Sequence, residues 1–228
     1  MLELFVTALA AERNPELLRH ARDGGVAVSE VTEKAAAGLS ETVTPQGIVA
    51  VCPLLDVPVA RAVEGARMVA VLVGVADPGN AGTVTRVADA AGADAVVFAG
   101  DTVDPHNGKC VRASTGSVFH LPPARERDVD AVLAACRAAG LRLVGADGHA
   151  ERDLDDADRA GELAGPIAWI FGSEAHGLDA TVSARLDCSL RVPMYGRAES
   201  LNLATAAAVC MYAHARAQRA VRTFTDRA

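Results

Sequence analysis

Apolar and polar positions along the chain change rhythm near residue 67. Before it the pattern is short and mixed: residues 15–22 carry helical spacing, residues 26–28 and 47–51 read as brief strands, and two prolines bracket residues 53–58. Beyond it, unbroken apolar runs suited to strands buried on both faces alternate with helical stretches. Residues 68–73 form the first such run and lead through 74–79 into a helix from about 80 to 91. Residues 95–99 are the next strand, and 117–121 are expected as a third, closed by Pro122 and Pro123. A helix over 129–139 stops at Gly140, which can take the left-handed cap conformation. Then come a strand at 142–146, an acidic loop at 153–158, a buried strand at 167–171 and a last strand at 188–192. Such alternation predicts an α/β fold, a mostly parallel sheet with helices on both faces, preceded by a small N-terminal α/β unit. The domains are read as 1–58 and 59–228, joined at the proline-bracketed segment.

Composition narrows the class. Half the residues are apolar but only 4% are aromatic, and no stretch approaches the roughly 18 apolar residues of a bilayer span, so no membrane association is expected. The first residues are apolar but include Glu3 and lack a basic leader, which points to the cytoplasm. Five scattered cysteines with no C-x-x-C pair, and six dispersed histidines, predict free thiols and no metal. The net charge of −7 disfavours a generic nucleic-acid binder, yet the charge is segregated. Residues 125–190 hold 7 basic against 13 acidic side chains, whereas 191–228 hold 6 Arg against Glu199 and Asp226, leaving room for a local basic face.

Three loops that come after apolar strands gather the polar chemistry: 77–86 (DPGNAGTVTR), 172–178 (GSEAHGL) and 192–202 (VPMYGRAESLN). In a parallel sheet they fall on one edge, where ligands bind. The first opens a helix whose free N–H groups suit an anion, although the glycines fit neither a P-loop nor a dinucleotide fingerprint. Glu174 in the second is, taken alone, a solvated turn residue. Ser200 and Asn202 in the third serve equally as helix caps or as ligand contacts. The small residues after Asn202 make a slim helix, ready for close approach by another backbone.

Together, and in this order, the loops resemble the three motifs of the SPOUT class of RNA methyltransferases, in its SpoU/TrmH-type branch. Asn80, Gly82 and Arg86 stand at the first motif, Gly172 to Leu178 (G-S-E-x-x-G-L) at the second, and Pro193, Met194, Ser200, Leu201 and Asn202 at the third. Residues 104–116 are similar to the family's segment after the second strand, and residues 31–51 resemble the closing part of the ribosomal-protein-like domain of rRNA-modifying members. His176 and Ala175 depart from the small or polar residues common at their motif positions.

The resemblance implies a C-terminal trefoil knot that binds S-adenosyl-L-methionine against main chain at Ala146, Gly172, Val192, Met194 and Leu201. It implies methyl transfer to a ribose 2'-hydroxyl of RNA, rRNA rather than tRNA given the N-terminal unit. Arg86 is the implied catalytic group, held with the ribose by Asn80, Glu174, Ser200 and Asn202. Arg112 is a candidate for substrate phosphate, and the family pattern implies a homodimer. Two other readings share these residues: a non-catalytic RNA- or ribosome-binding protein keeping the fold, and a nucleotide-dependent α/β enzyme using the Gly79 loop.

Overall fold

The computed structural model describes residues 1–40, 42 and 44–225, with side chains through residue 220. The chain divides into two compact units, Met1–Leu54 and Leu55–Ala228.

In the first unit, strand β1 (Glu3–Val6) lies between β2 (Ala27–Glu30), to which it is parallel, and β3 (Ile48–Val51), to which it is antiparallel. Alternation along β1 sends Leu4 and Val6 into a small core with Ala10, Leu18 and Ala21. Helices α1 (Ala8–Arg13), α2 (Pro15–Asp23) and α3 (Glu33–Gly38) complete the unit. Thr7 starts α1 by accepting from Ala10 N at 3.3 Å, and Pro15 starts α2 at a position where no backbone donor is needed.

The second unit is built on a six-stranded, wholly parallel sheet of β4 (Met68–Val73), β5 (Ala95–Ala99), β6 (Ala124–Glu126), β7 (Arg142–Ala146), β8 (Ile167–Phe171) and β9 (Cys188–Leu190). Its order is β6-β5-β4-β8-β7-β9, so the chain leaves β4 in one direction and returns beside it as β8. Side chains alternate between two cores. Met68, Ala70, Leu72, Trp169 and Phe171 face α5 (Pro78–Ala91) and α10 (Leu203–Thr225). Val69, Val71, Val97 and Ile170 face α4 (Val59–Ala62) and α7 (Val129–Ala138). From Met68 to Leu72 no residue is more than 1% exposed, and each of the larger side chains, Met68, Val69, Val71 and Leu72, contributes roughly 1.5–3 kcal/mol by leaving water. That double burial is why these strands are unbroken apolar runs.

Two expectations are corrected. Residues 117–121 are not a strand: Ser117–Phe119 form a short 3-10 turn, and the third strand is Ala124–Glu126, just past Pro122 and Pro123. Prolines without donors suit the entry to an edge strand, which this is. The acidic stretch at 153–158 is not a loop but helix α8 (Leu154–Arg159), whose Leu154 and Ala157 are buried while Asp155 and Asp156 occupy the electropositive first turn. The slim face of α10 is used within the chain: Ala204, Ala207, Cys210, Met211, Ala213 and Ala215 are buried, and the helix packs along α5. Helices α6 (Gly108–Ser114) and α9 (Ala180–Ser183) fill the remaining connections. Among the described residues no helix is long and apolar enough to cross a membrane.

Candidate active site

Residues 77–86, 172–178 and 191–202 emerge at the carboxyl ends of β4, β8 and β9, on one edge of the sheet. Asn80 and Glu174 come after the adjacent strands β4 and β8, where the strand order reverses and a crevice forms. Asn80 Nδ2 donates to Glu174 Oε1 at 2.9 Å, and Asn202 Nδ2 donates to Asn80 Oδ1 at 3.0 Å. A single chain of hydrogen bonds thus joins the three loops. Asn202 is a helix cap that also bridges to the first loop: its Oδ1 accepts from Ala204 N at 2.9 Å and Thr205 N at 3.3 Å, which leaves Nδ2 for Asn80.

Glu174 also accepts from the main-chain N–H groups of Ala76 and Asp77, each at 3.3 Å. Partial burial pushes its carboxyl up, but the bonds from Asn80 and these amides outweigh it and hold the group below its ordinary range. At neutral pH it is an acceptor that fixes Asn80. Asp77 caps α5 through Oδ1, which accepts from Asn80 N at 2.8 Å; Lys109 bonds its other oxygen, and the carboxyl is again held low.

Two glycines are required by close approach. A Cβ on Gly82 would stand 2.3 Å from Cys110 O and 2.7 Å from Ala113 Cβ, so the bare residue lets α6 lie directly on α5. A Cβ on Gly172 would stand 2.1 Å from Gly177 C and 2.4 Å from Leu178 N, because residues 173–177 fold back over it through paired bonds between Ser173 and Gly177 at 3.0 and 2.9 Å.

Beside the trio lies a cleft of about 970 Å³. Ala146, Gly172, Val192, Met194 and Leu201 all line it, as do Glu174, Ser200 and Asn202. Its size is that of a cofactor site. Among the described residues, the main chain at Val192, Met194 and Leu201 makes no hydrogen bond within the chain, and apolar Leu178 and Leu203 share the wall. Open backbone donors and acceptors set among apolar side chains fit an adenosyl group. Two anchors tie the ends of this wall to α8: Arg191 Nε bonds Asp153 at 2.5 Å, and Tyr195 OH donates to Asp155 Oδ2 at 2.6 Å.

Not every expected residue joins the cluster. Arg86 is exposed, six residues beyond Asn80, and has no partner within the described chain. Ser200 and Arg112 are likewise exposed, and their side chains are unbonded. Asp77, Tyr195 and Asp155 were not singled out by sequence; for Asp77 the signal was present, since Asp before Pro reads as a helix N-cap. Burial pushes the thiols of Cys110 and Cys136 up to about 11 and that of Cys210 to about 12, so these cysteines are not nucleophiles.

Residues 67–212 match the SpoU rRNA Methylase family, and residues 1–58 match the family described as RNA 2'-O ribose methyltransferase substrate binding. The chain belongs to the SpoU rRNA methylase family. It is 38% identical over 191 residues to the 23S rRNA (guanosine(2553)-2'-O)-methyltransferase RlmP of Bacillus subtilis strain 168, covering 82% of this chain and 72% of that one. It is 31% identical over 225 residues to the 23S rRNA (guanosine-2'-O-)-methyltransferase RlmB of Ralstonia nicotianae, covering 96% and 88%. Among solved structures, the SpoU methyltransferase AviRb from Streptomyces viridochromogenes in complex with AdoMet superimposes with a TM-score of 0.78 at 32% identity, covering 96% of this chain and 83% of that one. The activity is therefore S-adenosylmethionine-dependent methylation of a ribose 2'-hydroxyl in RNA.

Proposed function

We propose that the target is a ribose of ribosomal RNA and that the Asn80–Glu174–Asn202 chain is the frame on which the reaction is assembled. The observation that carries this reading is that chain of bonds, which ties Asn80 of the first motif loop to Glu174 and Asn202, both in the lining of the cleft. When bound, S-adenosylmethionine supplies an electrophilic methyl carbon on a sulfonium. The cleft residues Ala146, Gly172, Val192, Met194 and Leu201 hold it by main-chain contacts and exclude water from its adenosyl part. Asn80 and Asn202, fixed by Glu174, orient the ribose, with Ser200 adding a hydroxyl contact at the same rim. A ribose hydroxyl is a weak nucleophile near neutral pH, so alignment and proton removal are the tasks left to the protein.

Arg86 is the group for those tasks. Exposed and without a partner among the described residues, its planar fork can clamp a phosphate beside the ribose and orient the hydroxyl. Arg86→Lys keeps the charge and loses the fork, and kcat for methyl transfer to rRNA is expected to fall on the order of 100-fold. Near wild-type turnover in that variant removes Arg86 from the reaction.

The N-terminal unit is read as the rRNA-binding module, α10 as the threaded element of the family's knot, and the cytoplasm as the site of action. The chain is further read as a homodimer. Val209 and Tyr212 on the outer face of α10 remain 39% and 45% exposed after the slim face is buried, which leaves an apolar strip for a second copy. Light scattering at micromolar concentration that returns the mass of one chain overturns this assembly.

A further inference from the structure

The fold sets one cation against the active-site frame that the three motifs do not include. Lys109, on α6, reaches across the first turn of α5 and places Nζ 2.8 Å from Asp77 Oδ2. Two bare residues make the reach possible. Gly82 lets α6 lie on α5, and a Cβ on Gly79 would stand only 3.2 Å from Lys109 Cε and 2.7 Å from Asp77 Oδ1. Asp77 in turn holds Asn80 N with its other carboxylate oxygen at 2.8 Å and donates its own N–H to Glu174 Oε1 at 3.3 Å. The ammonium is therefore tied through one residue to both Asn80 and Glu174.

Its side chain is 57% exposed. An ion pair so open to water contributes little to stability, and of the three ammonium donors only one is used by Asp77. Arg112, three residues on along α6, stands on the same side of that helix, exposed and unbonded within the described chain.

We propose that Lys109 is a substrate-binding residue: its ammonium takes the phosphodiester next to the target ribose while Asp77 holds it in place over α5. Asp77 thereby couples the grip on the RNA backbone to the position of Asn80. This inference rests on the RNA-methylation reading above, and its test reads RNA binding apart from turnover.

Unmodified 23S rRNA transcribed in vitro serves as the probe, with filter binding across a range of salt. Lys109→Ala is expected to weaken RNA binding about 5- to 10-fold near physiological salt and to make the slope of log K against log salt shallower by about 1. Its S-adenosylmethionine affinity by calorimetry stays that of the wild type, and Lys109→Arg restores RNA affinity and slope. Wild-type RNA affinity and slope in Lys109→Ala overturn the proposal. So does parallel loss of RNA and S-adenosylmethionine binding with a lower melting temperature, which makes Lys109 a strut of the fold. If the wild-type protein transfers no methyl group to rRNA, the functional reading fails instead, and the binding curves still judge Lys109.

Discussion

The two edges of the six-stranded sheet are both laced by polar groups, and they differ in what the lacing leaves open. At the amino edge, Asp94 Oδ2 accepts from Arg67 N at 2.7 Å and Met68 N at 3.0 Å, joining the starts of two strands. Behind it, fully buried His214 accepts Trp169 Nε1–H on Nδ1 at 3.2 Å and meets Gly165 O through Nε2 at 2.9 Å. Both ring nitrogens are used, and the tautomer is set by the indole being a donor only. At the carboxyl edge, half-buried Asn80 is bonded to exposed Glu174 and Asn202, while among the described residues Arg86 has no partner and the main chain of Val192, Met194 and Leu201 makes no bond. Similar groups therefore serve opposite ends. Closed on the chain's own groups, whether buried like His214 or exposed like Asp94, they specify the fold; fixed in place but incompletely satisfied, they wait for a ligand.

The contrast is broken most severely by closing the carboxyl edge from inside. Gly172→Ala puts a Cβ 2.1 Å from Gly177 C and 2.2 Å from Gly177 O, so the loop carrying Glu174 must shift as a unit. Displacement by about 1 Å at a positioning element costs on the order of 100-fold in rate, and methyl transfer is expected to fall by that much, with weakened S-adenosylmethionine binding in calorimetry. The amino edge does not touch this loop, so the variant should still unfold cooperatively. Wild-type cofactor affinity in Gly172→Ala would mean that the fold-back of residues 173–177 does not shape the cleft.

The two edges also differ in how far they could be read from the sequence. The carboxyl edge was legible because its motif residues come directly after apolar strands, and parallel strands deliver their outgoing loops to one edge: Asn80, Glu174 and Asn202 meet although 94 and 122 residues separate Asn80 from the other two. The part each residue plays there was less legible. Asn202 being both cap and bridge, and Lys109 lying over Gly79, depend on where α6 and α10 pack, which local pattern does not encode. The amino edge was not legible at all. Trp169 and His214 are 45 residues apart, each reads locally as an ordinary core position, and only the seating of α10 against β8 joins them. The misplaced third strand has a similar cause: Ser117 to Leu121 is apolar enough for a strand, but the pairing with β5 falls beyond the two prolines, at Ala124–Glu126.

A smaller effect sharpens the comparison from the amino edge. Burial lowers the pKa of His214 to about 4, with Arg67 adding to the depression while the Gly165 carbonyl and Asp94 oppose it. The unfolded chain titrates near 6.5. Below that value the unfolded state takes up the proton and the folded state does not, so stability is full above about pH 6.5 and is lost progressively as the pH falls toward about 4. Between about pH 7.5 and 5 the loss is roughly 2 kcal/mol, readable as a lower urea midpoint. The carboxylates held low, among them Asp77, Glu162, Glu174 and Asp187, add their own losses only at more acidic pH, as they protonate. His214→Leu should be less stable at pH 7.5, because the Trp169 N–H loses its acceptor, but its stability should change less across the same window. A wild-type midpoint that stays level from pH 7.5 to 5 would show that His214 accepts a proton in the folded protein. The amino edge would then be as open to titration as the carboxyl edge is to ligand, and the distinction between them would fail.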